Sequence, residues 1–263
     1  MRRPPLYLLA SAVAMSLSLL ACAPITNLIS PRESPTAASV YSWQSTISAM
    51  DSLQSGEVPD HLLSEDAVRT GDEFDVNDYF TVLTHLSMEP GYVLDYVYCY
   101  YDSFAGGPAV YARPVDTPPY RTCSEYEQSA QDTYLNHVQI DGTEEGFFEF
   151  VLLDVKGEQF YLWWHAGYHD TSIIVDPTRL ESVLSETESF CSELPGSFRR
   201  DARRLTLDPI IQFSAGSVSV KVIAFSKWRG FMQKSYSIKR DFPHEIYDVS
   251  TEVLIPYRCP VVF

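Results

Sequence analysis

The chain has 263 residues, 45% of them hydrophobic and 13% aromatic, which is enough to bury a full core. Acidic side chains outnumber basic ones 35 to 19, for a formal net charge of −16. Nucleic acid is a poor partner for such a chain, because binding it depends on neutralising phosphates with Lys and Arg.

Arg2 and Arg3 precede a mostly apolar run, Leu6 to Leu20. The run is shorter than the ~20 apolar residues a permanent membrane span needs. A basic start, a short apolar core and a small residue at Ala21 make the pattern of a secretory leader. Leu19-Leu20-Ala21-Cys22 resembles the lipobox of bacterial lipoproteins, a resemblance confined to residues 1–22. It implies a signal peptide over 1–21, removed on export, and a Cys22 thiol carrying diacylglycerol, with a further acyl chain such as palmitate on the new N-terminus. Two or more acyl chains make a stable anchor where one does not. The resemblance also implies a location: Ala23, where Asp would favour inner-membrane retention, points to the outer membrane of a diderm host. In a host without one, the protein sits on the outer face of the plasma membrane.

Residues 22–38 contain Pro24, Pro31 and Pro35 among Ser, Thr and Asn, and read as a flexible tether. A single domain is expected over 39–263. Val40, Trp43, Ile47, Met50 and Leu53 fall at helical spacing, and Gly56 and Pro59 stop that helix. Asp75 caps a second expected helix, with Phe74 and Tyr79 placed as a hydrophobic staple and Pro90 at its end. Val93 to Tyr101 reads as a strand, 102–108 as a turn, and "AVYAR" as the return strand. A helix is expected over Ser124–Val138. "GFFEFVLLDV" and "EQFYLWWHAG" read as two strands joined by a tight hairpin at Lys156-Gly157. "DTSIIV" predicts a third strand, and Asp176-Pro177 opens a helix that buries Leu180, Val183 and Leu184. The remainder reads as β: "PIIQFSA", "SVSVKVIAF", "FMQKSYSIKR" and "TEVLIPY", with Val218, Val220 and Val222 facing inward. Helices and antiparallel hairpins without a β-α-β rhythm predict an α+β fold with a β-rich C-terminal part.

With Cys22 lipidated, Cys99, Cys123, Cys191 and Cys259 remain, in a compartment where disulfides persist. Four cysteines allow three pairings. Keeping each bridge within its own half favours Cys99–Cys123 and Cys191–Cys259, worth about 3–4 kcal/mol each. Four buried free thiols are the alternative. No C-x-x-C pair is present, so no zinc site and no cofactor is expected.

Three groups of residues could carry chemistry. His165, His169 and Asp170 in "WWHAGYHD" could bind a metal or share acid–base work, provided the chain turns at Gly167. The bland alternative is a hairpin rim of solvated histidines. Tyr96, Tyr98 and Tyr100 share one strand face and could stack on sugar rings, although such rows more often pack inward. Arg199, Arg200, Arg203 and Arg204 in "FRRDARR" would share a helix face suited to phosphate or carboxylate. Their alternative is pairing with the acidic part. Residues 22–195 hold 6 basic and 29 acidic side chains, against 11 and 6 in residues 196–263. This divides the domain into possible acidic and basic sub-lobes, 39–195 and 196–263, that neutralise each other. Alternatively, the basic part faces anionic lipid or glycan. Nucleophile-elbow, P-loop, dinucleotide and zincin motifs are all missing. The sequence therefore leans towards a non-enzymatic binding or accessory protein of the cell envelope, with membrane, glycan or protein as partners. An envelope hydrolase using His165, His169 and Asp170 is the alternative.

Overall fold

The computed structural model describes residues 37–261, apart from 66, 102–103, 130–131, 166–168 and 192–193. The leader, Cys22 and all but the last two tether residues lie outside the described residues. Helix α1 (Ala37–Leu53) leads to a short α2 (Tyr79–Val82). Three strands follow: β1 (Leu86–Met88), β2 (Tyr92–Tyr101) and β3 (Ala105–Pro114). Next come α3 (Cys123–Glu127), β4 (Val138–Ile140), α4 (Glu144–Lys156), β5 (Trp163–Trp164) and β6 (Ser172–Ile174). The chain continues through α5 (Pro177–Phe190) and α6 (Gly196–Ala202) to β7 (Ile210–Phe213), β8 (Ser217–Ser226), β9 (Gly230–Lys239) and β10 (Ile246–Pro256). All strand pairs are antiparallel, so the fold is α+β. Both expected disulfides are present, with Cα–Cα separations of 5.0 Å for Cys99–Cys123 and 5.3 Å for Cys191–Cys259.

The largest sheet runs β10-β9-β8-β6, with β7 also paired to β8. It has a core on each face. Val218, Val220, Val222, Tyr236 and Ile238 pack towards α4, while Ile223, Phe225 and Phe231 pack with α5 and α6. Residues 39–195 thus supply α4 on one face and α5 on the other of a sheet drawn mostly from 196–263, with α6 beside α5, and the two charge blocks are interleaved. Ion pairs cross the boundary: Arg199–Glu188, Arg203–Glu181 and Lys227–Asp170. β10 is an edge strand, and its Asp248, Glu252 and two bulges oppose edge-to-edge pairing.

α4 overturns the expected hairpin. Phe147, Phe148, Phe150, Val151, Leu152 and Leu153 are all buried, so the helix is apolar all round and shows no amphipathic period. Its ends carry the helical signals. Thr143 Oγ1 accepts the Gly146 amide at 3.0 Å, Glu144 and Glu145 sit in the first turn, and Lys156 in the last. The last carbonyls are satisfied by distant side chains: Tyr134 Oη donates to Leu153 O at 3.1 Å, and Tyr79 Oη to Gly157 O at 2.9 Å. "EQFYLWWHAG" contributes only two strand residues, because Gln159 instead bonds the carbonyls of Val155 and Thr171. The expected Asp75 helix is a single 3-10 turn plus α2, although Asp75 caps Asn77 at 2.9 Å and Phe74 meets Tyr79 at 5.2 Å between ring centroids. The expected helix over 124–138 is cut to α3, a 3-10 turn at Tyr134–His137 and β4. β3 starts at Ala105 rather than Ala109, so Gly106 and Gly107 lie in a strand. A Cβ on Gly106 would fall 2.8 Å from Tyr98 Oη.

A His–carboxylate pair closes each end of the β1–β4 ladder. His137 meets Glu89 and His85 meets Asp141, both at 2.7 Å. Glu149 of α4 reaches the second pair and accepts the His85 amide at 2.8 Å. Burial pushes the Glu149 carboxyl up to about 7, and the Asp141 hydrogen bond raises His85. Both groups hold their protons more tightly folded than unfolded. For Glu149 that stabilisation is complete below the unfolded value of 4.5 and is lost as pH rises through about 7. The urea midpoint should therefore fall between about pH 5 and about pH 8, and Glu149→Gln should flatten the fall. An unchanged slope in the variant would show that this corner does not titrate as described.

Candidate functional site

Gln54 follows the end of α1 into the core, where it is 9% exposed. Its amide nitrogen donates to Tyr79 Oη at 2.9 Å and to the carbonyl of Lys156. Tyr79 already donates its own hydrogen to Gly157, so both of these contacts require a donor and fix the amide orientation. Gln54 Oε1 is consequently buried with no hydrogen-bond partner. A buried acceptor in that state costs about 1–3 kcal/mol and calls for an explanation.

Gln54 lines a cleft of about 510 Å³, within the range of roughly 300–1,000 Å³ common for small-molecule sites. One wall is the loop over 56–63, including Glu57 and Asp60. The other is the segment from Gln159 to Trp163 that leaves α4. That segment is strained: Tyr161 has φ +53°, and Trp164 just after it has φ +45°, left-handed conformations that cost large side chains about 1–3 kcal/mol each. Tyr161 is held there from three sides. Its hydroxyl accepts the Phe74 amide at 3.1 Å, its carbonyl accepts Tyr98 Oη at 2.9 Å, and its ring lies beside Gly56, where a Cβ would come within 3.3 Å. Trp163 contributes a second orphan, a buried indole Nε1 with no acceptor. Tyr98→Phe should cost about 1 kcal/mol in urea unfolding, the worth of one hydrogen bond. No change would mean that Tyr98 does not restrain Tyr161.

The cleft carries no Lys, Arg or His, and Glu57 and Asp60 have no ion-pair partner among the described residues. A second cleft of about 250 Å³ differs in this respect. There, Arg69 and Arg113 both pair with Asp95, and Arg69 lies 3.8 Å over the Tyr96 ring. Glu73 accepts the amides of Thr70 and Gly71 and pairs with His61. Burial pushes Glu73 up, but these partners prevail and hold it down at about 2. The charges in that cleft pair with one another, although Arg69 Nε is buried with no hydrogen-bond partner.

The residues singled out from sequence fall elsewhere. Tyr96 and Tyr98 are 0% and 3% exposed, and Tyr100 packs partly buried against the same cluster as Tyr98. The shared face is real but turns inward, under Arg69, Phe160 and Tyr161, so it is no sugar platform. Exposed aromatics sit instead at the end of the hairpin, where Phe104 lies 6.2 Å from Trp164 and His165 stacks on Trp164 at 5.6 Å. Asp170 is committed to Ser226 Oγ at 2.9 Å and Lys227 Nζ at 3.1 Å. The ligand atoms of His165, His169 and Asp170 do not gather. Among the described residues the one such gathering is Cys99, Cys123 and Glu127, whose cysteines are joined to each other. Arg203 holds Glu181 through bonds of 2.7 and 2.9 Å, and Arg199 Nε donates to Glu188 at 2.8 Å. Arg200 and Arg204 flank Asp201 at 4.0 and 3.7 Å. The four arginines therefore form no single anion site.

No protein-family model matches the chain, nor does any curated protein or any solved structure.

Proposed function

We propose that this is an exported, lipid-anchored protein of the bacterial cell envelope that binds a small ligand without transforming it. The anchor rests on the Leu19–Cys22 lipobox, together with two bridges that occupy the other four cysteines. The binding part rests on one observation. In the walls of the cleft, out of reach of solvent, a buried acceptor, Gln54 Oε1, and a buried donor, Trp163 Nε1, stay unsatisfied beside a strained Tyr161. Native proteins tolerate strain and orphaned groups chiefly where function uses them. None of His165, His169 or Asp170, the residues of the hydrolase alternative, lines the cleft.

A thermal-shift screen of the full mature chain against small polar compounds tests the binding reading. A ligand that fills the cleft should raise the midpoint in a concentration-dependent way, and Trp163→Phe should weaken that rise. A screen with no stabilising compound, or one unaffected by Trp163→Phe, would contradict it.

A further inference from the structure

We propose that β10 is a docking edge for an extended segment of a partner protein, one that carries Lys or Arg at alternate positions. β10 ends the largest sheet, bonded to β9 on one side and to no strand on the other among the described residues. Along that open side its backbone groups form a template for a further strand. The two cores reach β10 only near its ends: Ile246 packs against the α4 core, and Leu254 and Ile255 against the α5–α6 core. Every residue between them, from Tyr247 to Val253, is exposed.

The two faces of this bare stretch differ. Val249 and Val253 are 46% and 50% exposed, and with Thr251 between them they form a β-branched row beside Tyr236, Lys234 and Met232 of β9. Asp248, Ser250 and Glu252 alternate with that row and point to the opposite face. A strand laid along β10 sets its own alternate side chains beside these two rows. The valine row suits β-branched or apolar residues. The carboxylate row suits cations, because Asp248 and Glu252 have no ion-pair partner among the described residues. The cations of the sheet leave them open: Lys234 lies on the valine face near Asp154, and Lys221 and Lys239 share the carboxylate face but pair with neither. The same carboxylates decide between occupants. Two copies of β10 paired antiparallel about Ser250 would set Asp248 directly opposite Glu252, a destabilising placement of like charges. A basic strand gains where a second copy loses.

The test uses three capped peptides: Thr-Lys-Val-Lys-Val-Lys-Val-Thr, its counterpart with Glu in place of Lys, and a copy of the Lys peptide N-methylated at its six Lys and Val nitrogens. Each is titrated into the detergent-solubilised mature chain at about 0.15 M salt, with binding read by fluorescence anisotropy and the site by amide hydrogen exchange. The Lys peptide should bind saturably, at least about tenfold more tightly than the Glu peptide, and slow exchange within residues 247–253. Asp248→Asn/Glu252→Gln alters only exposed side chains and should weaken the Lys peptide about tenfold. The N-methylated copy keeps the side chains and charge but cannot donate to the edge, and should not bind. Equal binding of the Lys and Glu peptides, binding of the N-methylated copy, or binding that leaves residues 247–253 unprotected would overturn the proposal. So would the absence of saturable binding, or a self-association of the chain that itself protects residues 247–253 and so gives the edge to a second copy.

Discussion

Replacing Cys191 and Cys259 together with Ala should lower unfolding stability by about 4 kcal/mol. The bridge spans 68 positions and so restrains a large part of the unfolded chain. The folded state gives the same residues a second task. After β10 the chain crosses the β8–β9 turn, where the Tyr257 amide donates to Arg229 O at 3.4 Å and the Cys259 amide to Lys227 O at 2.8 Å. Gly230 makes that crossing possible, with φ +86° and no Cβ; a Cβ there would lie 2.2 Å from Ile255 O. The bridge pins this tail to the end of α5, beside the core formed by Phe198, Phe225 and Phe231. Urea unfolding should show a lower midpoint, with the largest loss of amide protection in residues 255–261. A double variant within about 1 kcal/mol of the parent would refute this assignment of the bridge. The Cys99–Cys123 bridge spans 24 positions, and its removal should cost about 3.5 kcal/mol.

Phe148→Ala should cost about 3–5 kcal/mol, the range for emptying a buried aromatic site. Phe148 is fully buried on α4 and meets Trp43 of α1 at 4.5 Å between ring centroids. Residues 146–153 of α4 are all buried, so there is no solvent-facing direction around Phe148 in which the site can relax. The cavity term therefore adds to the lost burial. A neighbouring position on an amphipathic helix would behave differently, with inward residues costly and outward ones nearly neutral. Here Phe147, Phe148, Phe150 and Val151 should all be costly, and a scan showing alternate tolerance would contradict an all-buried helix.

That burial is also why α4 misled the sequence reading. An apolar run without period fits a buried strand and a buried helix equally well, and Lys156-Gly157 suits a hairpin turn as readily as a helix end. The Thr143 cap and Glu144-Glu145 carried the helical information, but they lie outside the run itself. Elements with one wet face were far more legible. Ser217–Val222 alternates, and Val218, Val220 and Val222 are 0%, 0% and 2% exposed. Asp176-Pro177 opens α5 as expected, with the Arg179 amide donating to Asp176 at 2.7 Å. The disulfide pairing is the one that keeps each bridge within its own half of the chain. The tyrosine row of β2 was correctly placed on one face, but nothing local says which face is wet. The cleft was not legible at all. Gln54 and Trp163 stand more than a hundred positions apart, and neither belongs to a motif. Only the orphaned Gln54 oxygen and the left-handed Tyr161 reveal the site, and both arise from tertiary packing.

Everything proposed for the chain depends on a ligand-binding domain being held at the envelope through lipid on Cys22. Metabolic labelling of the bacterial host with a radiolabelled fatty acid, followed by membrane fractionation, tests it most directly. The parent chain should take up label and sediment with membranes, while Cys22→Ser should take up none and appear in the soluble fraction. Label retained by Cys22→Ser, or an unlabelled parent chain, would contradict it.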